Sequence, residues 1–333
     1  MGAVGTFGGI AGGDMDWAES TGEFSPGAPP RRVLVAKSGG IGDFLLTLPV
    51  FAALRRFFPA ARVEILGQPK IAALAVAGGL AGAAHSLESR EMAGLFAPNA
   101  VLSARQADFF SAFDLIISFL YDPEKTFEAN LSRITKARFL RGIHRPNESE
   151  KTHAAQQYLS VLEPLGIRGA DPVPRLSLEA QPPANAVLPP PIIACHPGSG
   201  SRAKNWPEDR WRELLQKILG ATKASLLLVG GEAEEGVLER LQTFLPPARA
   251  KLAVGLDLPV LAGYLLPCRI FVGHDSGLTH LAAALGLRSL VLWGPTNETV
   301  WKPLGEEVTI LRSAAGLPGI PVETVFAQLA PLD

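Results

Sequence analysis

The chain has 333 residues, of which 47% are hydrophobic and 19% are charged, and its formal net charge is −1. This length favours two domains, each large enough to bury a core, and the composition is that of a folded globular protein. The near-neutral charge excludes a global field that would attract nucleic acid or an anionic membrane, so we predict no nucleic-acid partner.

Cysteine content and the first residues bear on the compartment. Cys195 and Cys268 are too few for a disulfide framework or a zinc site, so we expect two buried thiols and no metal. No run approaches the ~18 consecutive apolar residues of a membrane span. Residues 1–30 are rich in Gly, Ala and Pro and lack the basic and apolar regions of a signal peptide. We predict a flexible tail over 1–30 and a cytoplasmic location.

The first half begins with a βαβ pattern. A β-branched run predicts a strand over Arg32–Ala36, followed by a glycine-rich turn, a helix over Phe44–Phe57 and a strand over Arg62–Leu66. A further strand is predicted over Asp114–Phe119. The pattern indicates an α/β domain with a parallel sheet over residues 31–180.

The second half repeats this logic after a proline-rich stretch over residues 181–191, which predicts a linker. A second α/β domain is predicted over residues 192–333. Its strands are predicted at Ile192–Cys195, Ala224–Val229, Ile270–Val272 and Ser289–Trp293, and its helices at Trp206–Leu219 and Leu278–Leu285. Two doubly wound halves predict a ligand cleft between the carboxyl edges of two sheets.

Three loops of the second half follow predicted strands, namely His196–Gly200, Gly273–His280 and Gly294–Thr296. Their glycines and small polar residues can present backbone N–H groups to an anion, next to a helix N-terminus. Asp275 or Ser276 could equally cap the next helix, and the two roles are compatible. Three such loops on one sheet edge favour a phosphate ligand over capping alone.

Charged residues near these loops have two interpretations each. Lys204 precedes a predicted helix, which is electrostatically a poor place for a solvated cation, and this mismatch favours a phosphate-binding role. Glu232, Glu234 and Glu235 follow a glycine turn, where a carboxylate can bind a ribose diol or stabilise the first turn of a helix. For the glutamates, spacing alone favours the helix.

In the first half, Asp43 ends a glycine-rich turn. Its position favours a helix N-cap, and a general base toward a hydroxyl acceptor is the alternative. A basic cluster over residues 133–151 is either a solvated face or a patch for an anionic acceptor. His196 and His280 are candidate cleft histidines, although a buried imidazole with a structural role is commoner.

Several segments together resemble the lipopolysaccharide heptosyltransferase family, glycosyltransferase family 9. They are Ser38–Pro49 (SGGIGDFLLTLP), Cys195–Pro207 (CHPGSGSRAKNWP), Val272–Leu285 (VGHDSGLTHLAAAL) and Trp293–Thr296, with Arg138–Gly142 and His153–Gly166 fitting the first-domain pattern. The matches run in order from about residue 32 to residue 312. Each glycine motif alone is weak, but their order makes the resemblance specific. His274 departs from the pattern, because a valine-like or other residue often stands there.

The resemblance implies an α/β GT-B fold, with two Rossmann-like domains, and an inverting, metal-independent transfer of a heptose from ADP-heptose. It implies that Asp43 is the base and that Lys204 holds the donor phosphates. The other implied donor-binding residues are Ser199, Gly200, Glu232 or Glu235, Asp275, Ser276, Gly277, Leu278 and His280, and the implied acceptor-binding residues are Gly40, Gly42, Arg138, Arg141 and Arg145. No cofactor is expected beyond the nucleotide-sugar donor. The acceptor is expected to be an anionic glycolipid or glycan, with peripheral contact to the cytoplasmic face of the inner membrane.

Two other functions fit a similar fold. A sugar-nucleotide 2-epimerase is expected to need more cleft carboxylates than these motifs provide. A nucleotide-binding protein without catalysis is the other alternative, and the presence of both Asp43 and Lys204 argues against it.

Overall fold

The computed structural model describes residues 28–179 and 188–330, so nearly all of the predicted tail and most of the predicted linker lie outside the described residues. The strands are β1 Arg32–Lys37, β2 Arg62–Gly67, β3 Ala83–Ser86, β4 Leu115–Ser118, β5 Arg138–Arg141, β6 Ile192–Cys195, β7 Ser225–Gly230, β8 Ala250–Val254, β9 Ile270–His274, β10 Arg288–Leu292 and β11 Val308–Leu311. The α-helices are α1 Ile41–Leu45, α2 Leu48–Phe57, α3 Pro69–Ala77, α4 Arg90–Ala93, α5 Ala104–Ser111, α6 Thr126–Ser132, α7 Ala154–Leu159, α8 Glu208–Ala221, α9 Glu235–Gln242, α10 Leu258–Leu265, α11 Gly277–Ala284, α12 Glu298–Trp301 and α13 Val322–Ala327. Short 3₁₀ helices span Gly94–Phe96, Ser160–Leu165, Arg202–Lys204, Glu232–Glu234 and Leu317–Gly319.

The first half forms a parallel sheet with the strand order β3-β2-β1-β4-β5. The strands predicted for this half are confirmed as β1, β2 and β4, because each consists mainly of buried apolar residues. The edge strands β3 and β5 were missed, since their sequences, AAHS and RFLR, carry no such run. The strand order reverses between β1 and β4, and a ligand crevice opens at such a switch point.

The second half forms a parallel sheet with the order β11-β10-β9-β6-β7-β8. Its four predicted strands are confirmed as β6, β7, β9 and β10, and the edge strands β8 and β11 were missed. The switch point lies between β6 and β9. The loops that follow these two strands contain His196–Gly200 and Asp275–Ser276, so two of the three glycine loops flank the crevice.

The predicted helix over Phe44–Phe57 is in fact two helices, α1 and α2. Pro49 has no N–H to continue the helical hydrogen-bond ladder, and the Thr47 hydroxyl donates to the Phe44 carbonyl oxygen at 2.6 Å. The helix is therefore interrupted between Leu45 and Leu48. Helix α1 also begins earlier than predicted, at Ile41, with Gly40 as its N-cap. Asp43 lies in the first turn of α1, and the interpretation of Asp43 as an N-cap is wrong.

The two sheets share hydrophobic core. One cluster joins β1 and α2 of the first half to α10 and α11 of the second. Helices α1 and α11 pack closely against each other, because a Cβ added to Gly277 would lie 2.7 Å from Ile41 Cβ and 3.1 Å from Gly42 N. Only a glycine permits this approach, which brings the first turns of α1 and α11 together.

The two predicted thiols, Cys195 and Cys268, are buried and unpaired. Within residues 28–179 and 188–330, no helix has the length and apolar character needed to cross a membrane.

Candidate active site

A cavity of about 1150 Å³ lies between the carboxyl edges of the two sheets. Its walls are the loops that follow β1 and β5 in the first half and β6, β7, β8, β9 and β10 in the second, so the third predicted glycine loop, Gly294–Thr296, also reaches the cavity. The predicted site residues that line it are Gly40, Gly42, Asp43, Arg145, Ser199, Gly200, Lys204, Glu232, Asp275, Ser276, Gly277, Leu278 and His280. Residues far apart in sequence thus meet because parallel strands end at one edge of each sheet.

Three predicted site residues do not reach this cavity. Arg138 lies at the start of β5, the end away from the cavity, and donates to the Pro164 carbonyl oxygen at 2.7 Å. Arg141 pairs with Glu128. Glu235 is exposed at the start of α9. The structure therefore gives no support to acceptor binding by either arginine or to ribose binding by Glu235.

On the C-terminal wall, Lys204 forms an ion pair with Asp275. The Lys204 Nζ lies 2.6 Å from Asp275 Oδ2, and the carboxylate side chain is only 9% exposed. Lys204 is held at the end of the 3₁₀ helix Arg202–Lys204, and Asp275 directly follows β9. Since charge-assisted hydrogen bonds of this length are among the stronger ones in proteins, the pair fixes the ammonium at the cavity wall.

Helix α11 begins at the same wall. Its N-cap is Ser276, whose hydroxyl accepts from Thr279 N at 3.3 Å, so capping is confirmed for Ser276 and not for Asp275. His196 Nδ1 lies 3.1 Å from the Ser276 hydroxyl. The first N–H groups of a helix have no intrahelical acceptor, and together they carry partial positive charge. This end of α11 can therefore bind an anion.

The two predicted cleft histidines both line the cavity and are buried. Burial, with the neighbouring His274 adding to it, lowers the pKa of His196 to about 3. Burial also lowers the pKa of His280 to about 4, although the charge of Asp275 opposes this shift. Both imidazoles are therefore neutral near pH 7, so Lys204 and the N-terminus of α11 supply the positive charge on this wall.

His274 is a site residue that sequence reasoning treated only as a departure from a pattern. It is fully buried; its Nε2 accepts from Trp206 N at 2.8 Å, and its Nδ1 donates to the Gly198 carbonyl oxygen at 3.1 Å. These two bonds hold both ends of the loop that carries Lys204. Burial lowers the pKa of His274 to about 4, so the neutral form that can accept from Trp206 persists at neutral pH.

Glu234, rather than Glu235, faces the cavity after the glycine turn that follows β7. Its carboxylate accepts from Gly231 N at 2.9 Å, and a Cβ on Gly198 would lie 2.0 Å from Glu234 Cγ. Gly198 therefore has to be a glycine for the two loops to pass. The shift of one residue reflects the phase of the 3₁₀ turn Glu232–Glu234, which spacing did not reveal.

The carboxylates that line the cavity are Asp43, Glu148, Glu232, Glu234 and Asp275. Glu148 and Glu234 add to the carboxylates that the sequence motifs predicted. The number of carboxylates therefore no longer distinguishes a transferase from a sugar-nucleotide 2-epimerase. Among the described residues, no group of three or more His, Cys, Asp or Glu side chains could hold a metal ion.

On the N-terminal wall, Asp43 projects from the first turn of α1 and is partly exposed. Within the described ranges it has no hydrogen-bond or ion-pair partner, so its carboxylate is available to a ligand. Arg145, which follows β5, is exposed and reaches Glu148 only at 3.4 Å. Lys37, the last residue of β1, also lines the cavity and was missed, because a lysine at a strand end usually faces solvent.

The chain matches the family model of glycosyltransferase family 9 (heptosyltransferase) over residues 126–321, which is more than half of its length. It is 31% identical over 131 residues to lipooligosaccharide heptosyltransferase 2 of Haemophilus influenzae, and this alignment spans only 38% of each protein. A glycosyltransferase family 9 structure from Veillonella parvula superimposes with a TM-score of 0.74 at 19% identity, covering 91% of this chain and 97% of that one. The ADP-heptose lipopolysaccharide heptosyltransferase II of Escherichia coli gives a TM-score of 0.73 at 16% identity, covering 90% and 98%. These likenesses confirm the predicted GT-B fold.

Proposed function

Because the chain belongs to glycosyltransferase family 9, the heptosyltransferases, we propose that it transfers a heptose or related sugar from an ADP-sugar to a hydroxyl of a lipopolysaccharide-core or other glycan acceptor. One observation carries this proposal. The same cavity is bordered on one wall by the unpaired carboxylate of Asp43. Its opposite wall carries the positive charge of Lys204 and of the N-terminus of α11. A base and an anion site that face one another are what glycosyl transfer from a nucleotide sugar requires.

The proposed donor site is the C-terminal wall. The diphosphate would lie between Lys204 and the backbone N–H groups of Gly277 and Leu278, with Ser199 and Gly200 beside it and His280 near the sugar. A diphosphate at Lys204 competes with Asp275 for the ammonium, which leaves the Asp275 carboxylate able to accept hydrogen bonds from sugar hydroxyls. Glu232 or Glu234 is the proposed partner of the ribose diol.

The proposed reaction is a single displacement. The acceptor oxygen forms a bond to the anomeric carbon while the bond from that carbon to the phosphate oxygen breaks, and ADP leaves with the electron pair. Asp43 takes the proton of the acceptor hydroxyl. Attack from the face opposite the leaving group inverts the anomeric configuration. Lys204 and the N–H groups of α11 stabilise the charge that develops on ADP, which is why we propose a metal-independent reaction without a further cofactor.

The proposed acceptor site is the N-terminal wall. Gly40 and Gly42 are the proposed backbone contacts of the acceptor, although a Cβ on Gly42 would face His280 at 3.3 Å rather than the acceptor side. Arg145 supplies positive charge for an anionic glycolipid or glycan. The Haemophilus and Escherichia relatives are named for lipooligosaccharide and lipopolysaccharide, and their names support an acceptor of this class. We place the reaction in the cytoplasm, with peripheral contact to the inner membrane where such acceptors are anchored.

A nucleotide panel followed by a turnover assay tests this proposal. We expect ADP to raise the melting temperature more than UDP, GDP or CDP does, and we expect ADP release from ADP-heptose to depend on an added acceptor. Stabilisation by UDP without any effect of ADP would contradict the ADP-sugar assignment. Conversion of a UDP-sugar without an acceptor would indicate the epimerase alternative, and binding of ADP without turnover on any acceptor would indicate a non-catalytic protein.

A further inference from the structure

Lys37 is a buried lysine that none of the proposed steps uses. It is 3% exposed and yet lines the cavity. Its Nζ donates to the Tyr158 hydroxyl at 3.2 Å and to the His144 carbonyl oxygen at 3.4 Å, and it lies 4.7 Å from the centre of the Tyr158 ring. No ion pair within residues 28–179 and 188–330 includes Lys37.

These contacts also fit a purely structural role, because they join α7 to the loop after β5. However, a neutral donor could make both contacts, and a buried charge that forms no ion pair is costly even with the Asp43 carboxylate attracting it at longer range. Burial lowers the pKa of Lys37 to about 8 while the Asp43 charge opposes the shift, so the amine is mostly protonated at neutral pH. An ammonium has three N–H donors, and the protein accepts from two. The third donor and the charge are available to an anion in the cavity.

The position of Lys37 indicates which substrate carries that anion. The proposed diphosphate site is on the opposite wall, at Lys204 and α11. Lys37 is on the same wall as Asp43, directly before the glycine turn that leads to that carboxylate. Arg145 lies on this wall too, in the loop after β5. An anion bound at Lys37 therefore belongs to the acceptor.

We infer that Lys37 binds an anionic group of the acceptor, a carboxylate or a phosphate, and thereby places the accepting hydroxyl at Asp43. The inference rests on the proposed function, which it makes more specific. It assigns the enzyme an acceptor whose anionic group lies close to the accepting hydroxyl, because Lys37 and Asp43 share one wall of the cavity. Arg145, at the exposed end of that wall, meets the more distant charge of the same acceptor.

Two variants of Lys37 test the role, namely Lys37→Met and Lys37→Arg, with Tyr158→Phe as the matched control that removes only the hydroxyl partner. The acceptor is the glycolipid fraction from cells that lack this protein. At saturating ADP-heptose, we expect Lys37→Met to raise the acceptor KM at least about tenfold, the loss expected for one charged hydrogen bond. The ADP Kd should change less than about twofold, and kcat should fall by a smaller factor than the acceptor KM rises. Lys37→Arg should keep most of the acceptor affinity, and Tyr158→Phe should raise the acceptor KM far less than Lys37→Met does.

Modified acceptors distinguish the two chemical sources of the anion. The same fraction is used with its carboxyl groups reduced or with its phosphates removed. On the derivative that lacks the recognised group, the acceptor KM of the wild type should rise to that of Lys37→Met. On the other derivative, the wild type should keep the lower KM. An advantage that survives on both derivatives would overturn the inference. So would a Lys37→Met effect confined to kcat or to ADP binding, which would mean that Lys37 acts on Asp43 or the donor instead.

Calorimetric binding of the acceptor to the ADP-bound protein separates this inference from the proposed function. If the wild type binds the acceptor through Lys37 but releases no ADP from ADP-heptose, the proposed function fails and the acceptor site stands. If turnover occurs but acceptor binding is the same in the wild type and Lys37→Met, the proposed function stands and the inference about Lys37 fails. Should Lys37→Met not fold, the wild type still decides, because equal affinity for the native acceptor and both derivatives contradicts the inference.

Discussion

On the C-terminal wall of the cavity the polar side chains bond one another, whereas on the N-terminal wall Asp43 and Lys37 form no ion pair among the described residues and attract one another only at longer range. Lys204 is paired with Asp275, and His274 holds the loop of Lys204 by two hydrogen bonds. A wall with satisfied groups has its geometry before the ligand arrives, so it suits a constant ligand such as a nucleotide diphosphate. The other wall holds a carboxylate and an amine of opposite charge that form no ion pair with each other, so both can still bond a second ligand, which suits the acceptor.

The difference between the walls predicts the largest effect for Asp43→Asn. Removing the base should lower kcat by about 10²- to 10⁴-fold, the usual contribution of general base catalysis, while the ADP Kd stays that of the wild type. Steady-state ADP release and calorimetry measure the two quantities. Glu148→Gln is the control, since this cavity carboxylate makes only an exposed ion pair and should cost no more than about fivefold. Full turnover by Asp43→Asn would remove Asp43 from the role of base.

Lys204→Met should act on the donor side. Loss of a charged hydrogen bond of about 1.5–3 kcal/mol predicts roughly 10- to 100-fold weaker ADP binding. The variant should also lose stability to urea, because the mostly buried Asp275 carboxylate is left without its partner. The double variant Lys204→Met/Asp275→Asn should recover stability without recovering ADP affinity. If both variants bind ADP like the wild type, the diphosphate does not lie at Lys204.

A smaller effect is expected for His274→Val, which leaves Trp206 N and the Gly198 carbonyl oxygen without their partner. Two buried groups lose a hydrogen bond, so the free energy of unfolding should fall by about 1–3 kcal/mol for each of them. Because the loop of Lys204 is then less fixed, the ADP Kd should rise by less than it does for Lys204→Met. Urea titration and calorimetry give the two values. A loss of stability with unchanged ADP affinity would show that the loop does not need this histidine to bind the donor.

The smallest effect on activity is expected for Glu64→Gln, a carboxylate in the first half that does not line the cavity. Burial would raise the pKa of Glu64, but hydrogen bonds from His85 and Arg32 and the charges of Arg32 and Arg62 outweigh it and leave the pKa below its ordinary value of 4.5. The ionised carboxylate therefore stabilises the fold above pH 4.5, and this contribution is lost as the pH falls through the lowered pKa.

Urea titrations at a series of pH values check this expectation. Glu64→Gln should cost about 1–3 kcal/mol at neutral pH and less as the pH falls, with unchanged ADP affinity and turnover. A change in ADP affinity would show that Glu64, a charged residue outside the cavity, also affects donor binding and not only the stability of the fold.

The sequence predicts the central strands of both sheets and the loops that follow them, because a buried parallel strand is a continuous apolar run and a glycine turn marks its end. It does not predict the edge strands, such as Arg138–Arg141, whose pairing comes from the neighbouring strand rather than from an apolar run. Position within a basic cluster also does not predict which side chains reach the cavity: of Arg138, Arg141 and Arg145, Arg145 lines it and the other two do not.

The site residues that were missed share a physical reason. Lys37 ends a strand and His274 ends another, and no local pattern distinguishes a buried polar side chain with distant partners from an exposed one. Their partners, Tyr158 and Trp206, lie 121 and 68 residues away in the chain. Such contacts depend on how the two sheets and their loops are placed in space, which periodicity does not encode.

A crystal structure of Asp43→Asn with ADP-heptose bound tests most directly the claim that both walls act on one sugar. We predict that the diphosphate lies between Lys204 and the N-terminus of α11, and that the anomeric carbon faces residue 43 with room for one acceptor hydroxyl between them. A diphosphate bound away from Lys204 and α11, or a heptose turned away from residue 43, would contradict the account.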